Sequence, residues 1–100
     1  MKINLKLFSI LRDCLPAEAK QGQATIELPE EVTLSDLVTH LEIDQRLGYL
    51  PQEIVTRAGW QVIVNGAFER DMARLLQDGD QVQIFPPVAG GCGQDNYTGG

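Results

Sequence analysis

The sequence has one histidine and two cysteines in 100 residues, and this scarcity limits the chemistry that its side chains can perform. Cys14 and Cys92 are far apart and match no metal-ligand spacing, so we interpret them as free thiols. His40 has neither a second histidine nor a nearby cysteine, and we expect it on a helix surface. No Ser/His/Asp or Cys/His constellation is evident. We therefore expect neither a metal centre nor an active site built from side chains.

Long apolar runs and basic residues are also scarce. No apolar segment approaches the roughly 18 residues that cross a membrane, and the start, MKINLKLFSIL, alternates with period two and then meets Arg12 and Asp13, unlike a signal peptide. We expect a cytoplasmic protein without a membrane partner. Eight basic and fourteen acidic residues give a net charge of −6, which repels phosphate backbones and argues against nucleic acid. The charge either favours a partner with a basic patch or only maintains solubility.

The periodicity of the apolar residues predicts one small α+β domain. A chain of 100 residues is long enough for one domain with a modest core. Period-two alternation and β-branched runs predict the strands, and Asn65-Gly66 is a strong hairpin signal. The predicted strands are residues 2–7, 24–28, 60–64, 67–69 and 81–85. We assign residues 1–89 to the folded domain and residues 90–100 to a flexible, glycine-rich tail.

One amphipathic helix is predicted to begin after Thr33. Thr33 is a good N-cap, and Asp36 completes a capping box. The helix is expected to fade near residues 42–45, and shorter helical turns are expected in residues 9–15 and after Pro51. Its apolar stripe, at i, i+3, i+4 and i+7, consists of Leu34, Leu37, Val38 and Leu41. The economical arrangement is this helix packed on one face of a mixed sheet of four to five strands.

The most distinctive stretch is residues 78–91, which read DGDQVQIFPPVAGG. A turn leads into a strand, two prolines end the strand, and two glycines follow. Because a diglycine has no side chains, it can enter a narrow active site of another protein and present a main-chain carbonyl there. With the VNG hairpin at residues 64–66, this stretch resembles the β-grasp sulfur carriers of the MoaD/ThiS family, and most of all the small subunit of molybdopterin synthase.

The resemblance covers residues 1–91 and implies both a fold and a role. The fold is the ubiquitin-like β-grasp, with the first and last strands adjacent and parallel at the centre of the sheet. The role is that of a carrier and not of an enzyme: an E1-like, MoeB-type enzyme uses ATP to adenylate the terminal glycine, which then becomes a thiocarboxylate. The larger, MoaE-type synthase subunit takes the sulfur to build molybdopterin. Gly91 would supply the reacting carbonyl and Gly90 would let the tail pass a constriction, with no cofactor bound by the carrier itself.

The residues before the diglycine are candidates for partner binding. In a regular strand, Phe85 faces opposite to Val82 and Ile84, and it then lies on the surface. We predict that Phe85 forms a docking surface with Pro86, Pro87 and Val88. The alternative is that Phe85 caps the core after a bulge.

Four other side chains are given structural roles. Trp60 is assigned to the core, and Cys14 is interpreted as a small packed residue. Asp78 and Asp80 are expected to set the geometry of the turn.

Nine residues, CGQDNYTGG, follow Gly91, whereas members of the family end at the diglycine. The Gly91 carbonyl therefore lies in an amide bond, which cannot be adenylated as a free acid can. Either a processing protease first removes residues 92–100, or the reactive end is Gly100, preceded by Gly99. Nine residues can extend by about 30 Å, so a partner built for the short tail would not align with Gly100, and we favour Gly91. A third alternative is that residues 92–100 derive from an expression vector.

Three functions compete on this sequence. The first is a sulfur carrier for molybdenum or tungsten cofactor assembly, or for another pathway such as thiamine synthesis. The second is a ubiquitin-like modifier whose activated glycine is joined to lysines. The third is a β-grasp interaction module with an inert tail.

Overall fold

A computed structural model describes residues 1–16 and 19–87. Within these residues the chain forms one five-stranded mixed sheet, three short α-helices and a 3-10 helix. The strands are β1 (Lys2–Leu7), β2 (Gln23–Glu27), β3 (Gln61–Val64), β4 (Ala67–Phe68) and β5 (Gln81–Phe85). The helices are α1 (Leu34–His40), α2 (Ile43–Leu47) and α3 (Glu53–Thr56), and the 3-10 helix is Ser9–Cys14.

The sheet has the strand order β2-β1-β5-β3-β4. Its central pair, β1 and β5, is parallel, and Leu5 lies opposite Val82. The other neighbouring strands are antiparallel. The expected mixed sheet, with the first and last strands adjacent and parallel at its centre, is confirmed. Because parallel strands end at the same edge of a sheet, the chain leaves β5 beside the end of β1.

The core lies between one face of the sheet and the helices. Alternate residues of the two central strands point into it, and Ile3, Val82 and Ile84 have no exposed surface. From the helix side, Leu34 and Leu37 are likewise completely buried. Burying a side chain of this size contributes about 2 kcal/mol, so the stripe predicted from the sequence fixes α1 against the sheet. The opposite face of the sheet carries no helix among the described residues, and we call it the open face.

The start of α1 has the hydrogen bonds of a capping box. Thr33 Oγ1 accepts from the Asp36 amide at 3.1 Å, and Asp36 Oδ2 accepts from the Thr33 amide at 3.0 Å. A cap of this kind contributes about 1 kcal/mol. The capping box predicted from the sequence is therefore confirmed.

The expected gradual end of this helix in residues 42–45 is wrong. α1 ends at His40, and a second helix, α2, begins at Ile43. The break lies at Glu42, whose backbone is left-handed with φ +61°. This turn redirects the chain so that Ile43 is completely buried. Because left-handed backbone favours glycine and Glu42 is not glycine, the sequence carries no signal for the break.

The loop after α2 contains a further short helix. Gly48 ends α2 with φ +78°, a backbone angle that glycine adopts without strain. The helical turn expected after Pro51 is present as α3. No helix among residues 1–16 and 19–87 has both the length and the apolar character needed to cross a membrane.

Candidate functional site

The amino end of β5 is fixed by a buried carboxylate. Asp80 is only 7% exposed. Its two oxygens accept from the side-chain amide of Asn65 at 2.9 Å and from the main-chain amide of Gln77 at 2.8 Å. Asn65 Oδ1 in turn accepts from the Gln81 amide at 2.9 Å. The VNG hairpin and the DGD turn are thus joined by hydrogen bonds, and both motifs have a structural function here.

The same turn is bonded to β1. Asp78 Oδ1 accepts from the Lys2 amide at 2.7 Å, and the Gly79 amide donates to the Lys2 carbonyl at 2.7 Å. Gly79 has φ +87°, which a residue with a side chain rarely adopts. The expected role of Asp78 and Asp80 in turn geometry is confirmed. These bonds set the position of β5 relative to β1, and with it the point where the chain leaves the sheet.

The carboxyl end of β5 carries aromatic side chains. Phe85 lies opposite Gln61 in regular antiparallel register, so no bulge turns it towards the core. It is half-buried because its ring stacks on that of Phe8, with centroids 4.3 Å apart and an interplanar angle of 19°. Lys6 Nζ lies 5.4 Å from the centroid of the Phe8 ring. Phe85 is therefore partly covered rather than freely exposed, and its cover comes from the segment that follows the parallel neighbour β1.

Two prolines follow β5 directly in the chain. Pro86 is half-buried and Pro87 is exposed. A Cβ atom at Gly59 would lie 3.3 Å from Cβ of Pro87. Gly59 therefore allows the close approach of Pro87, and its φ of +78° also favours glycine. Sequence analysis did not identify Gly59, although a glycine directly before the third strand is a signal of such an approach.

The predicted reactive glycines and one docking residue fall outside the described residues. They are Val88, Gly90, Gly91, Gly99 and Gly100. The last described residue is Pro87, four positions before Gly91 in the sequence. The described part of the site is therefore the aromatic and proline surface that leads towards the diglycine.

Two further apolar side chains share the open face with Phe85. Ile63 alternates with the buried Val62 and Val64, and it lies opposite Phe68 on β4. Directly opposed residues of antiparallel strands have their side chains on the same face. Phe68 is 69% exposed, so it lies on the surface and not in the core. We call Phe8, Ile63, Phe68 and Phe85 the open-face patch.

An ion pair holds the segment after β4. Glu69 Oε1 lies 2.9 Å from Arg74 Nη1, and Glu69 Oε2 accepts from the Asp71 amide at 3.2 Å. The hydrogen bond from Arg74, together with that of the backbone, keeps the pKa of Glu69 below its ordinary value. Glu69 is therefore ionised at neutral pH next to Phe68. This ion pair stabilises the conformation of the segment from Glu69 to Arg74, and we give it a structural role.

Side chains outside this surface have structural positions. Trp60 is 7% exposed and belongs to the core, as predicted. Cys14 packs against the core, and burial raises the pKa of its thiol. His40 is exposed in the last turn of α1. Among the described residues, no group of three histidine, cysteine, aspartate or glutamate side chains is arranged to hold a metal ion.

Comparison with known proteins places this chain in a family. The sequence model of the ThiS family matches residues 5–91. Small archaeal modifier protein 3 of Haloferax volcanii is 32% identical over 98 residues, which cover 91% of this chain and the whole of that protein. The match to the family model ends at Gly91, the second glycine of the first diglycine.

Solved structures share the fold. The solution structure of the HVO 2177 protein of Haloferax volcanii is 28% identical, with a TM-score of 0.67 over 90% of this chain and 86% of that chain. One chain in the complex of subunits 1 and 2 of the molybdopterin-converting factor of Helicobacter pylori 26695 is 19% identical, with a TM-score of 0.53 over 90% and 99% of the two chains. At that identity the likeness shows the fold alone. The sheet order and the solved structures show the ubiquitin-like β-grasp fold. The family match and the 32% identical relative show that this chain belongs to the ThiS family, whose members are small carrier or modifier proteins.

Proposed function

We propose that this protein is a sulfur carrier for molybdopterin synthesis whose reactive group is the carboxyl group of Gly91. The observation that supports Gly91 most strongly is that the family match ends there. Gly91 also follows within four residues of the aromatic and proline surface at the end of β5. A glycine pair at this position adds no side chains to the arm that enters a partner.

The chemistry needs a free carboxylate, which proteolysis releases, and then two activation steps. A protease first hydrolyses the amide between Gly91 and Cys92, releasing residues 92–100. The Gly91 carboxylate then attacks the α-phosphate of ATP, which gives an acyl-adenylate and pyrophosphate. A sulfide donor displaces AMP at the acyl carbon and leaves a thiocarboxylate. The side chains of the carrier take no part in either step, so the activating enzyme supplies the catalytic groups.

The proposed partners bind the open face. An E1-like, MoeB-type enzyme performs the adenylation in the cytoplasm, and a MoaE-type large subunit takes the sulfur. The chain matched in Helicobacter pylori is one subunit of a complex with the second subunit of its factor, which supports a synthase partner. The open-face patch, with Phe68 69% exposed, supplies apolar contact area, and a net charge of −6 favours a basic rim on the partner.

A second candidate function, that of a ubiquitin-like protein modifier, is supported by the Haloferax volcanii relative of known name. That relative, 32% identical, is named a small archaeal modifier protein. In this alternative the activated Gly91 carbonyl is transferred to the ε-amine of a lysine, which forms an isopeptide bond and releases the activating group. Both functions share adenylation of the same glycine and differ only in the nucleophile that follows.

ATP–pyrophosphate exchange with the E1-like enzyme from the same cells tests the proposal. We compare the chain ending at Gly91 with the full 100-residue chain. Exchange with the shorter chain only is expected, because only that chain has a free carboxylate at Gly91. Exchange with the full chain only would assign the reaction to Gly100, and exchange with neither would remove both candidate functions. Incubating the adenylate with sulfide or with a lysine-containing protein then separates carrier from modifier.

A further inference from the structure

A cleft of about 790 Å³ lies at the opposite edge of the sheet from β4. It is formed by the end of the 3-10 helix, by β2, and by the segment that joins α1 to α2. The side chains that matter for its chemistry are Cys14, Ile26, Glu27, Leu41, Glu42 and Arg46. None of them belongs to the open-face patch, and the function proposed above leaves this cleft without a role.

The strand beside the cleft has main-chain groups that no other described residue pairs with. Within residues 1–16 and 19–87, β2 is an edge strand that pairs on one side only, with β1. On that side the Gly22 carbonyl accepts from the Leu7 amide at 2.9 Å, and the Leu28 amide donates to the Met1 carbonyl at 2.8 Å. In an antiparallel pair the bonding residues alternate, so the even-numbered residues of β2 face β1. The amides and carbonyls of Thr25 and Glu27 consequently point to the free edge, which can accept another strand.

One end of this edge is closed, and this limits the free stretch. Lys20 and Gln23 exchange two main-chain hydrogen bonds, of 3.0 and 2.9 Å. The groups of Gln23 that would face the free edge are therefore occupied. The open stretch is Thr25 to Glu27, and these residues also line the cleft.

The charges around the cleft favour a basic ligand. Arg46 is paired with Asp13 at 2.9 Å, so these two charges largely offset each other. Glu42 makes no ion pair with the described residues. Glu27 has only a 3.5 Å contact with the terminal ammonium group and is exposed. The remaining field is therefore negative, while Ile26 and Leu41 supply an apolar wall.

We propose that an extended peptide segment with alternating apolar and basic side chains binds here by adding a strand to β2. Its main-chain groups bond to the free amides and carbonyls of Thr25 and Glu27. Its apolar side chains enter the cleft beside Ile26 and Leu41. Its basic side chains lie on the other face of the added strand beside Glu27, and Glu42 contributes only to the longer-range negative field. Because this edge is separate from the open-face patch, a protein carrying such a segment can hold the carrier while the tail is engaged elsewhere.

The probe is a blocked peptide in which lysine and valine alternate, titrated into the labelled full-length protein and followed by NMR. We expect saturable shifts of the Thr25 and Glu27 amides and of residues 41–42, with weaker binding at high salt. A peptide in which glutamate replaces lysine should not bind. The titration does not involve Gly91. The peptide can therefore fail to bind while the proposed carrier function holds, and it can bind even if the carrier function is disproved.

Thr25→Pro is the decisive variant. Proline removes the outward amide but leaves the bonds to β1, and proline is tolerated on such an edge. Thr25→Val is its matched control, because both substitutions remove the hydroxyl that donates to Asn4 Oδ1 at 2.8 Å. We expect binding to weaken by about tenfold or more in Thr25→Pro relative to Thr25→Val. N-methylation of the probe at alternate amides makes the same test from the ligand side and does not depend on the folding of the variant.

Glu42→Lys tests the electrostatic contribution to peptide binding, and Glu31→Lys is its control. Both variants change the net charge equally, but Glu31 precedes α1 and Glu42 follows it. We expect roughly fivefold weaker binding for Glu42→Lys only. Equal weakening in both variants would overturn the charge argument.

The proposal itself fails if binding does not saturate, if Thr25→Pro binds as Thr25→Val does, or if the shifts fall on the open-face patch. Concentration-dependent shifts at Thr25 without peptide would assign the edge to a second copy of the chain instead.

Discussion

The two ends of β5 differ in the kind of interaction that holds them. At the amino end, the buried Asp80 carboxylate accepts two hydrogen bonds from donors in two different segments. At the carboxyl end, Phe85 is held by stacking on Phe8 and is followed by the exposed Pro87. Hydrogen-bonded buried groups fix one geometry, whereas an apolar surface left half-covered is available to a partner. One strand thus combines a hydrogen-bonded anchor at its amino end with an apolar surface at its carboxyl end, where we propose that partners dock.

The anchor is useful because β5 determines where the tail begins. β5 is paired on both sides, with β1 and with β3. A slip of one residue would exchange its buried and open faces, which would turn Phe85 into the core. Asp80 and Asn65 oppose such a slip from the amino end. The prolines cannot donate to a ladder and therefore end the pairing.

The largest effect is expected at the diglycine itself. In the chain ending at Gly91, Gly91→Ala should lower ATP–pyrophosphate exchange by roughly 100-fold, because an added Cβ displaces the reacting carbonyl in a narrow site. In the full chain, Gly100→Ala should leave cofactor synthesis unchanged in cells. Circular dichroism should be unaltered in both variants. Loss of synthesis with Gly100→Ala alone would move the reactive terminus to Gly100.

The anchor is tested by Asp80→Ala. The substitution leaves the donors of Asn65 and Gln77 without their acceptor, and we expect the free energy of unfolding to fall by about 3 kcal/mol. Asp78→Ala is the control, because Asp78 is exposed and accepts one bond, from Lys2; its cost should be about 1 kcal/mol. Urea denaturation measures both. Similar values for the two variants would show that burial of Asp80 does not distinguish this end of β5.

The docking end is tested by Phe85→Ala. We expect KM for the carrier in the activation assay to rise by about tenfold with kcat unchanged, because the lost contact acts in binding. Leu75→Ala is the control for an exposed apolar side chain elsewhere, since Leu75 is 57% exposed and lies opposite Thr33. An equal change in KM for both variants, or a fall in stability as large as that of Asp80→Ala, would contradict the assignment of Phe85.

The smallest effect is expected at Gly59. Gly59→Ala introduces strain at φ +78° and a 3.3 Å contact with Pro87, whereas Gly48→Ala introduces the same strain, also at φ +78°, with no atom within 4 Å. Strain alone should cost about 1 kcal/mol. Gly59→Ala should cost a further ~0.5 kcal/mol and should also raise KM by displacing Pro87. If the two variants unfold at the same urea concentration, the position of Pro87 does not depend on the absence of a side chain at Gly59.

Local patterns predicted much of this fold, and contacts between distant segments account for what they missed. The start of α1 follows from Thr33, Asp36 and a regular apolar stripe, all within one helix. The hydrogen bond between Asn65 and Asp80 joins residues fifteen positions apart. The VNG and DGD motifs, each taken alone, therefore predict only a turn. Phe8 covers Phe85 because β1 and β5 are parallel, which no local pattern reveals. The left-handed break at Glu42 has no signal at all.

The candidate site was predicted from the sequence in a different way. Gly90 and Gly91 were identified by the motif that precedes them, because the proposed chemistry belongs to the main chain and needs no constellation of side chains. The structure adds the surface leading to them, in particular Phe8, Phe68 and Gly59.

Intact-mass spectrometry of the protein isolated from its native cells tests the central claim most directly. We predict a chain that ends at Gly91, with one carboxylate oxygen replaced by sulfur. A population consisting only of the 100-residue chain, with an unmodified carboxyl group at Gly100, would contradict this account.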